Sequence, residues 1–175
     1  RPQRLQTRLA GLFSAARPGT VLAMLKALRF SNADVSWIGG LVERWHDMGR
    51  EMKEQLLEPE PPSDAVLRRW AGRAGRTRLA PVLRIADARW WAERESGRDA
   101  PSRARMQSVY RRAIRIAYRD PVEVSDLAVK GDDLLRIGIT GKKLGETLRV
   151  LLAFVLEDPS RNTPDALLQR AKGFA

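Results

Sequence analysis

Apolar residues recur at helical spacing along this chain, and this periodicity limits its fold more than any other feature. The clearest stripe consists of Val35, Ile38, Leu41, Val42, Trp45 and Met48. Residues three and four positions apart share one face of an α-helix, so the stripe predicts a helix with one buried face. No segment shows the sustained apolar–polar alternation of a half-buried β-strand. The sequence therefore predicts an all-α fold, an irregular multi-helix bundle.

Serine and proline mark the expected helix boundaries. Ser31, Ser63 and Ser102 are predicted N-caps, because a serine hydroxyl accepts a hydrogen bond from the first turn of a helix. The prolines between 59 and 62 predict a rigid connector, and Asp120-Pro121 ends the helix that Ser102 begins. We therefore expect a helical body-like domain over 1–119 and a helical tail domain over 120–175.

The first two helices are expected to bury leucine-rich faces. The first is predicted over 2–15 and the second begins at Pro18. Their buried residues are predicted to be Leu5, Leu9, Leu12 and Phe13 in the first helix, and Val21, Leu22, Leu25 and Leu28 in the second. Gly39-Gly40 lies in the third helix and predicts the close approach of another helix, because glycine has no side chain. Further helices are expected over 51–57 and 79–95.

The formal net charge of +11 is concentrated in one part of the chain. Residues 66–119 contain fifteen arginines and four acidic residues, whereas the remainder holds 17 basic and 17 acidic residues. Such a basic block predicts a polyanionic partner, namely RNA, DNA or an anionic membrane surface. An arginine-rich composition without such a partner is the alternative, since arginine outnumbers lysine 26 to 6.

Several other properties follow from composition. The absence of cysteine excludes disulfides and cysteine-ligated metals, and it fits a reducing cytoplasm. No apolar run reaches the roughly 18 residues of a membrane span, so no membrane partner is expected. The first residue is Arg1 rather than methionine, and we expect the chain to be a piece of a longer protein or a processed product.

The stretch 125–155 predicts a helix, a glycine turn and a second helix. Asp132 is expected to cap the first helix, and Gly138 to end it in the left-handed conformation. Gly141 opens the second helix, with Lys142 and Lys143 in its first turn. The free N–H groups of such a turn and two lysines make a phosphate cradle, while a helix hairpin with solvated lysines is the alternative.

The residues for metal or nucleophilic catalysis do not form a recognisable set. His46 is the single histidine, and it is expected to be structural. Asp132-Asp133 is a candidate metal pair, but adjacent helix residues point about 100° apart, which favours capping. No nucleotide-binding glycine motif is present. Trp90-Trp91 is a candidate base-stacking pair; one ring must face the core, and core packing is favoured for both.

The C-terminal segment resembles the end of bacterial CCA-adding tRNA nucleotidyltransferases and their poly(A) polymerase relatives. The matching residues include Gly131-Asp132-Asp133-Leu134, Gly138-Ile139, Gly141, Gly145 and Val155-Leu156-Glu157, with Asn162-Thr163 before Leu167-Leu168. Upstream, the segments 28–33 (LRFSNA) and 84–88 (RIADA) are weaker matches. The resemblance implies the body and tail of a class II enzyme of this kind, parts that hold the tRNA acceptor and T-arm.

The catalytic parts of that family are not evident in this chain. Neither the head domain's carboxylate pair nor the neck's nucleotide-reading motif is found, and the His-Asp pair that many relatives carry before the RFSN segment is absent from 12–18. No catalytic residue, metal site or cofactor is therefore expected here. Mg²⁺ and CTP or ATP are expected only for a catalytic head domain, supplied in cis or in trans by a parent nucleotidyltransferase.

The resemblance and the arginine block together predict an RNA-binding module for tRNA processing. The residues expected to contact RNA phosphates are Arg111, Arg112, Arg115, Lys130, Lys142, Lys143 and Arg149. Two other functions remain open. Gly138-Ile139-Thr140-Gly141 is close to the turn of DNA-binding helix-hairpin-helix proteins, and the same fold is also compatible with a protein-interaction scaffold.

Overall fold

The structure is a computed structural model that describes residues 2–174. Within them the chain is all-α, as predicted, with no β-strand. The helices are α1 Pro2–Phe13, α2 Pro18–Ala27, α3 Asn32–Leu57, α4 Asp64–Ala74, α5 Arg76–Glu95, α6 Arg103–Arg119, α7 Gly131–Arg136, α8 Lys142–Glu157 and α9 Pro164–Lys172. Two single-turn 3₁₀ helices, Val124–Asp126 and Pro159–Arg161, complete the regular structure of this part of the chain.

The predicted serine caps are all formed. Ser31 Oγ accepts a hydrogen bond from Asp34 N at 3.1 Å, and Ser63 Oγ accepts one from Val66 N at 3.3 Å. Ser102 Oγ accepts from Arg105 N at 3.2 Å. Several boundaries differ from expectation: α1 ends at Phe13 rather than at residue 15, 51–57 is the continuation of α3, and α5 begins three residues before Leu79.

The chain divides into two compact units, each discontinuous in sequence. The first comprises Arg1–Pro62 and Thr77–Ile114, and the second comprises Ser63–Arg76 and Arg115–Ala175. This division differs from the predicted domains 1–119 and 120–175, chiefly because α4 belongs to the second unit. Its periodicity predicts a helix but carries no information about the segment against which that helix packs.

A buried arginine ties α4 to the C-terminal segments of the second unit. Arg68 is 8% exposed. Its Nε donates to the carbonyl oxygen of Leu156 at 2.6 Å, and its Nη2 donates to that of Glu157 at 3.1 Å. Its Nη1 lies 3.1 Å from Asp120 Oδ2. These bonds satisfy carbonyls at the end of α8 that have no intrahelical partner.

Helix α3 is the central element of the first unit, with α1 and α2 packed against it. Its predicted stripe is buried except at Trp45, which is half-buried. A Cβ added at Gly39 would lie 2.4 Å from Leu22 Cδ2, so the predicted close approach at this glycine is confirmed. Only part of the predicted α2 face is buried, because Leu22 and Leu28 are 38% and 62% exposed.

The predicted buried face of α1 is wrong at two of its four residues, since Leu9 and Phe13 are half-buried. Leu5 and Leu12 are 59% and 74% exposed, whereas Thr7, Ala10 and Ser14 are buried. Small side chains let α1 approach α3 closely, and Ser14 satisfies its hydroxyl by donating to the carbonyl oxygen of Gly11 at 2.6 Å. Helical periodicity alone does not show which face of α1 is buried in the folded chain.

The second unit has its own apolar core around α7, α8 and α9. Its buried members are Leu127, Val129, Leu134, Ile139, Leu151, Val155, Leu167 and Ala171. Thr163 Oγ1 caps α9 by accepting from Ala166 N at 3.4 Å. This core fixes the position of the glycine turn between α7 and α8.

Candidate nucleic-acid interface

A cleft of about 460 Å³ lies between α5 and α6 within the first unit. Leu83 and Met106, both buried, contribute apolar surface to it. Its polar lining consists of Arg84 and Asp87 from α5, and Gln107, Tyr110 and Arg111 from α6. The spacings from 84 to 87 and from 107 to 111 place each set on one face of its helix.

The charged groups of this cleft are free. Among residues 2–174, neither Arg84, Asp87 nor Arg111 forms a hydrogen bond or an ion pair through its side chain, and all three are exposed. An exposed guanidinium group with no internal partner is available to a phosphate, which it binds in a planar, bidentate geometry. The cleft thus presents unengaged cations beside an apolar floor.

A second, smaller pocket of about 280 Å³ adjoins the cleft through Asp87, which lines both. It also contains Trp91 and Arg94 from α5, and Arg103 from the start of α6. Trp91 is 58% exposed, so the expectation that both tryptophans of the pair are core residues is wrong. Trp90 is 1% exposed and packs against Trp45, with ring centroids 6.1 Å apart.

Other arginines of the basic block bind the protein's own backbone. Arg112 Nη1 donates to the carbonyl oxygen of Pro62 at 2.8 Å, and Arg105 Nη2 donates to those of Pro59 and Glu60 at 3.1 and 2.6 Å. Arg112 therefore also has a structural contact, and its phosphate contact stays a prediction. Proline has no N–H, so the carbonyl oxygens of this connector are its available bonding groups.

The predicted turn between α7 and α8 has the expected form. Gly138 has φ of 89°, and the N–H groups of Gly138 and Ile139 donate to Leu135 O and Leu134 O, both at 3.0 Å. This pair of bonds is a Schellman C-cap. Gly141 has φ of 59° and is the N-cap of α8.

The predicted N-cap of α7 is wrong, because the N-cap is Lys130, two residues before Asp132. The helix begins at Gly131 rather than after Asp132, and Asp133 Oδ2 accepts from Lys130 N at 2.8 Å. Asp133 Oδ1 also accepts from Arg136 Nη1 at 3.0 Å. The carboxylate that reaches back to the start of the helix is therefore the second of the pair.

Two of the lysines predicted to bind phosphate donate to the protein's own backbone. Lys130 Nζ donates to the carbonyl oxygens of Ser125 and Leu127 at 2.7 and 3.0 Å, which removes most of its donor capacity. Lys143 Nζ donates to that of Phe174 at 3.3 Å. Both lysines lie near the turn, as predicted, but their amino groups bind backbone carbonyl oxygens of the protein.

Three further predicted residues are accessible. Lys142 is 94% exposed and lies 3.7 Å from Glu146 Oε1, a loose surface pair. Arg149 on α8 and Arg115 on α6 are exposed, and neither has a side-chain partner among the described residues. Of the predicted set, Arg111 is the one that lines the α5–α6 cleft.

The predicted RNA contacts do not include Arg84, Asp87 or Arg103, and Trp91 belongs to a candidate base-stacking pair for which core packing is favoured. A signal was present, because 84, 87 and 91 are spaced to share one face of α5 and include both charged and aromatic residues. The fold supplies the missing information by leaving that face open to solvent.

Other chemistries find no support in the described residues. No group of three or more His, Asp or Glu side chains within 2–174 is arranged to hold a metal ion. His46 Nε2 lies 2.9 Å from the carbonyl oxygen of Ala16, which fits its expected structural role. No helix in this part of the chain is long and apolar enough to cross a bilayer.

Comparisons of the chain with protein-family models, with curated proteins and with solved structures find no match.

Proposed function

We propose that this protein binds structured RNA through the cleft between α5 and α6. The observation that carries the proposal is a set of guanidinium groups, from Arg84, Arg103 and Arg111, that line the cleft and the adjoining pocket and have no partner within residues 2–174. Exposed like charges held close together repel one another, and a row of phosphates relieves that repulsion while releasing condensed counterions.

Transfer RNA is the RNA proposed as the partner. The C-terminal segment resembles the tail of CCA-adding nucleotidyltransferases, in which body and tail hold the acceptor and T-arm. RNA helices are recognised mainly by shape and backbone, because side chains cannot read their deep, narrow major groove. Arginines on two helices are suited to such backbone contacts, and a catalytic head domain, in cis or in trans, would add the nucleotides.

The proposal is tested by measuring the salt dependence of tRNA binding. We expect the affinity of the purified chain for tRNA to fall steeply between 50 and 200 mM salt, with a log–log slope of about −3 or steeper. Three to five phosphate contacts would account for such a slope. Absent binding at low salt, or an affinity that does not change with salt, contradicts the proposal.

The same preparation tests the expected lack of catalysis. With Mg²⁺ and radiolabelled CTP or ATP, the chain alone should add no nucleotide to a tRNA that lacks its 3′ end. Incorporation would show that the chain carries a catalytic centre. A heat-denatured sample and a reaction without protein serve as controls for contamination.

Binding of duplex DNA is a second candidate function. The observation in its favour is the α7–α8 turn, where a Cβ built at Gly138 or Gly141 meets no atom within 4 Å. A phosphate backbone can therefore approach both glycines closely. Competition between tRNA and a duplex DNA of equal length separates the two functions, since equal or tighter DNA binding favours the hairpin.

A further inference from the structure

The exposed Trp91 is the least explained large side chain in the first unit. Of the five tryptophans, which all lie within the described residues, Trp70 and Trp90 are buried, Trp37 and Trp45 are half-buried, and Trp91 is 58% exposed. An exposed indole ring offers an apolar face to a ligand, and Trp91 does so at the edge of a pocket that also contains charged groups.

Asp87 adds a second unexplained group beside it. Positions 87 and 91 are four residues apart on α5, so their Cβ atoms are neighbours on one helix face at about 5–6 Å. The Asp87 carboxylate forms no ion pair within residues 2–174, although Arg94 and Arg103 line the same pocket. A carboxylate repels phosphate, so phosphate binding alone does not account for its position.

The two groups together match an unpaired nucleotide. An aromatic face stacks on a nucleobase of any type, whereas a carboxylate accepts hydrogen bonds from an exocyclic amino group such as that of cytosine. The pocket has a volume of about 280 Å³ and adjoins the arginine-lined cleft, with which it shares the lining residue Asp87. Arg103 supplies a free cation for the phosphate of the same nucleotide.

We propose that the pocket formed by Asp87, Trp91 and Arg103 binds one unpaired, amino-bearing nucleotide next to the duplex held in the α5–α6 cleft. This inference rests on the proposed RNA-binding function and gives it a preferred substrate class, namely a duplex RNA with a single-stranded extension. The base stacks on Trp91, and Asp87 discriminates an amino group from the carbonyl that uracil presents at the same place.

The test compares three RNAs that share one 12-base-pair duplex: a blunt form, a form with a four-cytidine 3′ extension and a form with a four-uridine 3′ extension. We expect the purified chain to bind the cytidine-extended RNA about ten-fold more tightly than the blunt RNA, with uridine in between. The change in tryptophan fluorescence on adding the extended RNA reports stacking directly.

Variants assign the effect to residues. Trp91→Ala should lose about ten-fold in affinity for the cytidine extension and none for the blunt duplex, while Trp91→Phe should keep most of the affinity. Asp87→Asn should bind both extensions equally, because an amide both donates and accepts. Circular dichroism checks that each variant is folded, and Trp91→Phe keeps the test valid if the alanine variant is not.

The outcomes separate the two proposals. Equal wild-type affinity for blunt and extended RNA, or equal loss on both RNAs in Trp91→Ala, overturns the nucleotide pocket and leaves duplex binding standing. Equal wild-type affinity for the two extensions overturns the role of Asp87. Absent binding of the blunt duplex at low salt overturns the proposed RNA-backbone function, whatever the extensions do.

Discussion

The arginines of the α5–α6 cleft and two basic residues of the second unit, Arg68 and Lys130, are used in opposite ways. In the cleft, Arg84 and Arg111 are exposed and bind no part of the described chain. In the second unit, Arg68 donates to two carbonyl oxygens and a carboxylate, and Lys130 donates to two carbonyl oxygens. The first group is available to a ligand, whereas the second stabilises the fold.

A local charge count therefore overstates the binding surface of this protein. The excess of arginine over residues 66–119 includes the buried Arg68 and the connector-binding Arg105 and Arg112. Charge attracts a polyanion only when the cation is accessible and not already paired. The difference between the two regions lies in their partners and not in their residue types.

The largest expected effect is the loss of stability when Arg68 of the second unit is replaced. Replacing Arg68→Met leaves two carbonyls and the Asp120 carboxylate without their donor, and should lower the free energy of unfolding by about 3 kcal/mol. The matched control is Arg69→Met, which removes an exposed pair with Glu157 and should cost less than about 1 kcal/mol. Urea unfolding measures the free energy of unfolding of both variants, and equal losses would contradict the stabilising role of Arg68.

A second prediction compares the removal of three positive charges from the cleft and its adjoining pocket with the removal of three near the α7–α8 turn. The triple variant Arg84→Gln, Arg103→Gln, Arg111→Gln should lose about 100-fold in tRNA affinity. The log–log slope of its affinity against salt concentration should become shallower by about 3. The triple variant Lys142→Gln, Lys143→Gln, Arg149→Gln removes the same charge near the turn and should lose less than about five-fold. Gel shifts at several salt concentrations measure both, and the reverse order would move the interface to the hairpin.

A third prediction concerns the backbone of the turn. Gly138→Ala should destabilise the protein by about 1 kcal/mol, because the left-handed conformation at φ of 89° strains any residue with a Cβ. Gly145→Ala, in the interior of α8 with no atom within 4 Å of the added Cβ, should instead stabilise by up to about 1 kcal/mol. Thermal unfolding distinguishes the signs, and a neutral Gly138→Ala would show that the turn is not held as described.

The smallest expected effect is a change in the pH dependence of stability, which we compare for one carboxyl group in each unit. Hydrogen bonds from Ser31 and Gln6 lower the pKa of Asp34, and hydrogen bonds from Ser160 lower the pKa of Asp158. A carboxyl group whose pKa is lower in the folded state stabilises the fold at neutral pH, and that contribution is lost as the pH falls through its folded pKa. Ser31→Ala and Ser160→Ala should each reduce the loss of stability between pH 7 and pH 3.

Urea unfolding at the two pH values measures the effect. The quantity compared is the difference between the two free energies of unfolding, because each substitution also removes hydrogen bonds of the serine hydroxyl, one of which, for Ser31, caps α3. An unchanged difference in either variant would exclude that serine as the cause of the lowered pKa.

Local sequence signals predicted the helices and their ends well. A serine cap or a Schellman glycine acts within a few residues, so Ser63 and Gly138 carry the information needed to place them. Burial is different because it depends on the partner. Leu12 has the spacing of a core residue and is nevertheless 74% exposed, because the buried residues Thr7 and Ala10 lie on the opposite face of α1.

The candidate site could be predicted only in outline. Arg105 and Arg111 are similar residues on one helix, but Arg105 meets carbonyl oxygens 45 and 46 positions earlier in the chain, while Arg111 meets none. No local pattern distinguishes them. The same applies to Trp90 and Trp91, whose opposite environments follow from the 100° turn between neighbours and from which side the core lies.

The two arginines that hold the proline connector have a consequence for proteolysis. Proteases cleave segments that can unfold locally, and exposed loops are their usual targets. With Arg105 and Arg112 bound to its carbonyl oxygens, the connector at 59–62 lacks that freedom, although it has no helix or strand of its own. Limited digestion with a protease of broad specificity should then cut the polar loop between α5 and α6 first. Arg105→Met with Arg112→Met should add cleavage at the residues that flank the connector, since peptide bonds to a proline nitrogen resist most proteases.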